Sequence, residues 1–315
     1  MEGLPAKLPY SVPTATPICL TVSNMSHTPV LLNECLDLLR PERGGVFIDA
    51  TLGMGGHSEA LLQRATGQDI RLLGIDQDQE ALTLARERLG GRIEYGWGNF
   101  ANLLEIAKTH KVVAADGILM DIGVSSFQID TPERGFSFME NGPLDMRMDG
   151  TGSVTAASIV NTWPEPKLAN LFYEYGEERL SRRITRLIVE RRRKEPFRET
   201  RDLAELIYFA YPPPARHKKP HPATRTFQAL RIEVNQELRS LERGLDAALN
   251  LLAPDGVLAV ISFHSLEDRI VKLRFRLAVE DGYEILTKKP LEASEDELRS
   301  NVRSRSAKLR GIKRT

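Results

Sequence analysis

Short apolar runs alternate with helical patterning along the first part of the chain. Val46-Phe47-Ile48 ends at Asp49, residues 70–75 end at Asp76, and Gly117-Ile118-Leu119-Met120 ends at Asp121. Ile93-Glu94-Tyr95 is a weaker run. Each is too short for a helix and predicts a buried strand. Between them, residues 58–64, 81–89 and 103–110 carry apolar positions at helical spacing. Strands separated by helices predict right-handed crossovers, a parallel sheet, and a ligand site at the carboxyl ends of the strands. Asp49, Asp76 and Asp121 all fall at such ends.

The alternation then stops. Residues 127–152 are rich in Gly, Pro, Met and Asp and read as a long functional loop or linker. Residues 154–209 are patterned as helices, and Pro212-Pro213-Pro214 breaks them. A long amphipathic helix is expected over residues 226–252. Pro254-Asp255-Gly256 then turns into a buried strand at 257–261, and residues 283–287 read as a last strand. The fold class is therefore α/β, with a helical domain inserted into the sheet domain. The expected parts are a disordered leader (1–25), the first sheet segment (26–126), the inserted loop and helical domain (127–225), the second sheet segment (226–298) and a basic tail (299–315).

Composition narrows the class without changing this picture. The 315 residues are 41% apolar and 27% charged, with 43 basic and 43 acidic side chains. Global disorder, fibres and disulfide scaffolds are excluded. Cys19 and Cys35 make neither a disulfide framework nor a metal-type spacing, which suits a reduced, cytoplasmic setting. No apolar stretch reaches the roughly 18 residues of a membrane span. The leader holds Pro5, Pro9, Pro13 and Pro17 and lacks the apolar block of a secretory signal. Patterning begins just after Met25, so residues 1–24 read as an extension ahead of a natural start there.

Candidate chemistry sits at the strand ends. After the first strand comes Asp49-Ala50-Thr51-Leu52-Gly53-Met54-Gly55-Gly56-His57-Ser58, a glycine turn that lets backbone approach a ligand. Asp76 follows 20 residues after Gly56, where an acid can hold ribose hydroxyls. A dinucleotide enzyme has nearly this arrangement, but the third glycine is missing and Asp49 precedes the first. A carboxylate there welcomes the cationic tail of S-adenosylmethionine and repels a pyrophosphate. Asp121-Ile122-Gly123-Val124-Ser125-Ser126 ends the fourth strand, and Ser262-Phe263-His264-Ser265-Leu266-Glu267 follows the fifth. Asp121 reads either as a helix cap or as a group beside the reacting atom. His264 reads equally as structural or functional, and His57 as a helix start or a ligand contact.

Taken together, these motifs resemble one family. They are joined by His27-Thr28-Pro29-Val30-Leu31-Leu32, Gly74-Ile75-Asp76-Gln77-Asp78, Arg134-Gly135-Phe136-Ser137-Phe138, Leu144-Asp145-Met146-Arg147-Met148 and Thr224-Arg225-Thr226-Phe227-Gln228-Ala229-Leu230-Arg231. The chain resembles the ribosomal small-subunit RNA methyltransferase H family (MraW or RsmH type), in order, from Ser26 to the basic tail. The resemblance implies a Rossmann-like class I S-adenosylmethionine-dependent methyltransferase fold with an inserted helical domain. It implies methylation of N4 of a cytosine in the decoding region of 16S ribosomal RNA, within the small ribosomal subunit. Carried over by motif, the cofactor contacts are Gly55, Gly56, His57, Asp76, Phe100, Asp121 and Gln128.

Cytosine's amino lone pair is delocalised, so the amine must be aligned with the methyl group and its developing charge stabilised. No metal is required. Asp121, Asp145 and His264 are the catalytic candidates, with Asp145 expected to orient the base and Asp121 to serve mainly the cofactor. Two other readings compete: an RNA-binding assembly factor on a methyltransferase fold, and a nicotinamide-dependent oxidoreductase. No membrane partner is expected, and oligomeric state stays open, a homodimer included.

The zero net charge hides a segregation. Residues 179–225 hold 14 basic and 5 acidic side chains, and residues 299–315 hold 7 basic and none acidic. Both segments are expected to meet the RNA phosphates.

Overall fold

The computed structural model describes residues 28–315. The leader and the start expected at Met25 lie outside the described residues. Helix α1 (Leu32–Leu39) leads into β1 (Gly45–Asp49), α2 (Gly56–Arg64), β2 (Ile70–Asp76), α3 (Gln79–Leu89), β3 (Glu94–Trp97), α4 (Leu103–Thr109) and β4 (Ala115–Asp121). Helices α5 (Ser126–Asp130), α6 (Ala156–Thr162), α7 (Glu165–Glu174), α8 (Ser181–Arg192), α9 (Thr200–Ala210), α10 (Pro213–Arg216), α11 (Thr224–Val234) and α12 (Glu237–Leu251) follow. The chain returns to the sheet as β5 (Leu252–Ser262), then α13 (Ser265–Ala278), β6 (Tyr283–Ile285), α14 (Glu295–Ser300) and β7 (Lys308–Arg314).

The seven strands form one sheet in the order β3-β2-β1-β4-β5-β7-β6. The first five run parallel; β7 is antiparallel to β5 and to β6. The strand order reverses at β1, which lies between β2 and β4, so a crevice opens at their carboxyl ends. Adjacent residues face opposite sides. Ile48, Leu73 and Ile118 pack under α4, α12 and α13, while Phe47, Leu72 and Leu119 pack under α1, α2 and α3. Both faces are covered, which is why these strands read as continuous apolar runs instead of alternating ones. The inserted helices carry a separate core, built on Ile159, Phe172, Ile184, Ile188, Phe197 and Ile207.

Three expectations need correction. The helix expected over residues 226–252 is two helices. Gln236 takes a left-handed backbone (φ 51°), and Asn235 turns its amide onto Met146 O and Met148 N at 2.8 Å each. The boundary expected at 225/226 falls within α11, whose Phe227 and Leu230 belong to the core of the insertion.

Residues 299–315 are not a tail. Their strand β7 is wedged between β5 and β6, with Leu309 and Ile312 fully buried. Most of their charge is spent internally. Arg310 and Lys308 pair with Asp268, Arg303 with Asp130, and Lys313 with Asp255 and Glu284. Alternating apolar and basic residues here mark a half-buried strand, not a phosphate-binding arm. A chain ending at Leu298 is therefore expected to lose cooperative thermal unfolding altogether. A retained sharp calorimetric transition in that truncation would contradict the role of β7 in the sheet.

Candidate active site

The turn after β1 ties three strand ends together. Ala50 N donates to Leu119 O at 2.9 Å, and Leu52 N to Ile75 O at 2.8 Å. Asp121 N donates to Thr51 Oγ1 (2.6 Å), and Gly53 N to Asp76 Oδ2 (2.8 Å). Asp49, Asp76 and Asp121 are thereby brought to one crevice. Gly55 has φ 79°, and a Cβ there would stand 2.6 Å from Leu89 Cδ1; at Gly56 it would strike Pro29 Cγ at 2.7 Å. These glycines let α2 start tight against α3 and against the N-terminal segment.

That segment forms a strap. His57 Nε2–H donates to Val30 O at 3.0 Å, since a carbonyl can only accept. Leu31 N donates to Glu297 Oε1 (2.9 Å) and Asn301 Nδ2 to Thr28 O (3.1 Å), so the residues ahead of β7 hold the strap down. The enclosed cavity is about 330 Å³, within the small-ligand range.

Its floor is acidic. Burial pushes Asp49 up to about 6, against hydrogen bonds from Ser58 and Thr51. Asp76 is likewise pushed to about 6 by burial, against N–H bonds from Asp78 and Gly53. Asp121 reaches about 8, first by burial and then by the charges of Asp49 and Glu267. Its Oδ2 lies 3.8 Å from His57 Nδ1, while its buried Oδ1 has no hydrogen-bond partner among the described residues. A cationic ligand with donor groups fits such a floor; a pyrophosphate does not.

The cavity gathers Gly56, His57, Asp76, Phe100, Asp121 and Gln128, six of the seven residues expected at the cofactor. Gly55 is not on its wall; the Cβ position of that glycine points at Leu89, and Gly53 and Met54 line the cavity beside it. Phe100 backs onto Gly244 of α12, where a Cβ would come within 2.5 Å of the ring. Gln128 is a brace: its Nε2 donates to Asp78 Oδ2 (2.8 Å) and its Oε1 accepts from Ser125 N (3.0 Å).

Two expected catalytic residues are placed elsewhere. Asp145 lines a separate hollow with Glu80, Glu133 and Arg147. Both its oxygens are held by Arg147 at 2.7 Å. Burial raises its carboxyl, but Arg147 outweighs that and holds it below the usual range. His264 caps α13: its Nδ1 accepts from Glu267 N (3.4 Å) and its Nε2 faces Glu267 Oε1 at 3.1 Å. It is Phe263, one residue earlier, that reaches the cavity, with Arg231, Asn235 and Glu237.

Sequence patterning could not single these out. Arg231 and Glu237 stand six positions apart, on different faces of a continuous helix. Only the break at Asn235 and Gln236 joins them.

The raised carboxyls set a pH dependence. Asp121 holds its proton to about 8 when folded, against about 3.9 when unfolded. Over that interval the folded state binds more protons, so stability falls as pH rises. In the ligand-free protein, Asp121→Asn should raise the melting temperature at pH 8.5 and change it little at pH 5. Equal melting curves for both proteins at pH 8.5 would refute this.

Comparison with known proteins follows the same line. The MraW methylase family model matches residues 24–315. The ribosomal RNA small subunit methyltransferase H of Carboxydothermus hydrogenoformans is 50% identical over 308 residues, covering 92% of this chain and 98% of the relative. The protein of the same name from Trichormus variabilis is 49% identical over 300 residues, covering 94% of each chain. That from Synechococcus elongatus is 51% identical over 291 residues, covering 91% and 94%. Among the described residues, no helix is long and apolar enough to cross a membrane. A match along nearly the whole length, with the expected motifs converging on one acidic crevice, makes this chain a member of the MraW methylase family.

Proposed function

We propose that this protein methylates N4 of a cytosine in the decoding region of small-subunit ribosomal RNA, with S-adenosyl-L-methionine as methyl donor. The observation that carries the reading is the acidic floor at the ends of β1, β2 and β4, with a buried Asp121 oxygen that has no hydrogen-bond partner among the described residues. That donor set suits a cofactor with a sulfonium and an ammonium group. The relatives named above support ribosomal RNA as the substrate class, and the ordered motifs support the cytosine amine.

The cofactor supplies an electrophilic methyl group on a positively charged sulfur. The protein's own residues hold and enclose it. Asp76 keeps acceptor capacity for ribose hydroxyls, because each oxygen takes only one N–H. Asp49 is ionised above about 6 and supplies negative charge for the cationic end, while Asp121, which holds its proton to about 8 in the empty cavity, ionises as that positive charge binds beside it. Phe100 offers a ring face for the adenine. The strap at Pro29 and Val30, latched by His57, excludes water and so strengthens each of these interactions. The acceptor base leaves the RNA stack to reach such a cavity. The same floor argues against the nicotinamide reading, since Asp49 and Asp76, ionised above about 6, repel a pyrophosphate.

RNA contact belongs to the inserted domain. Arg182, Arg183 and Arg186 of α8, with Arg179 just before it, are exposed, and none of them pairs with a carboxylate among the described residues. By contrast Arg191 and Arg192 are used internally, Arg191 with Glu195 and Asp202 and Arg192 on the carbonyls of Val160 and Trp163.

The direct test supplies small subunits from cells lacking this protein, with tritiated S-adenosylmethionine, and maps the labelled nucleoside. N4-methylcytidine in the decoding region is expected. Binding to subunits without methyl transfer would instead favour the assembly-factor reading. Reversing two charges, Arg182→Glu with Arg186→Glu, should weaken subunit binding and flatten its log–log salt slope by about 2. Cofactor affinity should stay unchanged; an unaltered salt slope would remove α8 from the RNA interface.

A further inference from the structure

Arg231 and Glu237 line the cavity, yet no cofactor contact proposed above uses them. Their side chains are 17% and 6% exposed. Arg231 Nε and Nη2 donate to the two Glu237 oxygens, at 2.8 Å each. Behind them, Glu267 Oε2 accepts from the backbone N–H of Phe263 (2.8 Å) and of His264 (3.2 Å). This fixes the loop after β5 and the Phe263 ring, whose Cδ2 lies 3.6 Å from where a Cβ on Gly123 would stand. A planar ring and a charged pair thus share one wall of the cavity beside Asp121.

Burying a charged pair costs several kcal/mol per ion, and apolar residues of the same volume would close the wall more cheaply. What an apolar wall lacks is hydrogen-bonding capacity. Arg231 commits two N–H groups to Glu237 and has three left. Glu237 keeps about two acceptor sites. The ligand atoms of Glu237, His264 and Glu267 lie within 4.8 Å of one another. The Arg231 guanidinium already supplies a positive charge to this acidic group, so a metal ion would compete with it.

We propose that Arg231 and Glu237 read the pairing edge of the acceptor base, Glu237 accepting from the N4 amine and Arg231 donating to N3 and O2, with Phe263 against the ring. The inference rests on the reading that a cytosine amine is the acceptor. Cytosine presents a donor beside two acceptors, which a carboxylate beside a guanidinium complements. Uracil presents O4 and N3–H instead, setting acceptor against carboxylate and donor against guanidinium. Glu237 would also hold the amine in place by one of its hydrogens. The pair is therefore a specificity device, distinct from the carboxylates that serve the cofactor.

The test compares the wild type with Glu237→Gln, Arg231→Lys, and the double variant Arg231→Met with Glu237→Met. Melting temperature, cofactor affinity by calorimetry, subunit affinity, and single-turnover methyl transfer to unmethylated small subunits are measured for each. Expected are folded proteins, cofactor and subunit affinities within about threefold, and a transfer rate about 10- to 100-fold lower for each single variant. The double variant should fold and transfer no measurable methyl. Glu237→Gln keeps the size and packing of the side chain, so its rate reports the lost charge and acceptor. A Glu237→Gln rate within twofold of wild type, or transfer by the double variant, overturns the inference and leaves the cytosine reading standing. Wild-type methylation of a different base, identified in the digested nucleosides, overturns the cytosine reading itself and this inference with it.

Discussion

Three carboxyl groups at the ends of adjacent strands, brought to one crevice, are the constraint around which the rest of the structure is arranged. A parallel sheet whose order reverses at β1 brings Asp49, Asp76 and Asp121 together whatever the side chains prefer. Burial alone lifts each of them, and the repulsion of Asp49 and Glu267 lifts Asp121 further. The glycine turn answers part of this cost with hydrogen bonds: Ser58 on Asp49 and Gly53 N–H on Asp76. Asp121 Oδ1 is left with no hydrogen-bond partner among the described residues. An unpaired buried acceptor is expensive in an empty fold and useful in one that binds a cation.

The walls of the crevice come from distant parts of the chain. The strap at Thr28, Val30 and Leu31 is held by His57 on one side and by Glu297 and Asn301 on the other. The C-terminal residues thus do structural work twice, as a strand in the sheet and as a latch on the strap. The insertion is joined to the crevice by Asn235, which bonds the loop at Met146 and Met148, and by Arg134, which reaches Asp78 at 2.9 Å and Met148 O at 2.7 Å.

Charge is distributed in the same economical way. Asp145 and His264, both plausible from their types and neighbours, are held locally, Asp145 by Arg147 and His264 through the Nδ1 that caps α13. Lys308, Arg310 and Lys313 of β7 are neutralised by Asp268, Asp255 and Glu284, and Arg314 donates to Leu252 O. Polar capacity remains on the exposed arginines of α8, on the Arg231 and Glu237 pair of the cavity wall, and at Asp121 Oδ1, which has no hydrogen-bond partner among the described residues.

The α/β class, the strand-end carboxylates and most of the residues that line the crevice were legible in the sequence. Buried strands, glycine turns and the acids that end strands leave local signatures within a few residues of one another. The crevice is built mostly from such strand ends, so residues that line it could be named before their geometry was known. The wall formed by Arg231 and Glu237 and the fate of the last 17 residues were not legible. A run of basic residues looks the same whether its partners are phosphates or the carboxylates of Asp268 and Glu284. Arg231 and Glu237 become neighbours only because Gln236 reverses the backbone hand between two helices. Sequence alone determined which groups could do chemistry. Tertiary structure decided which of them still had hydrogen bonds to give, because that depends on partners brought from far along the chain.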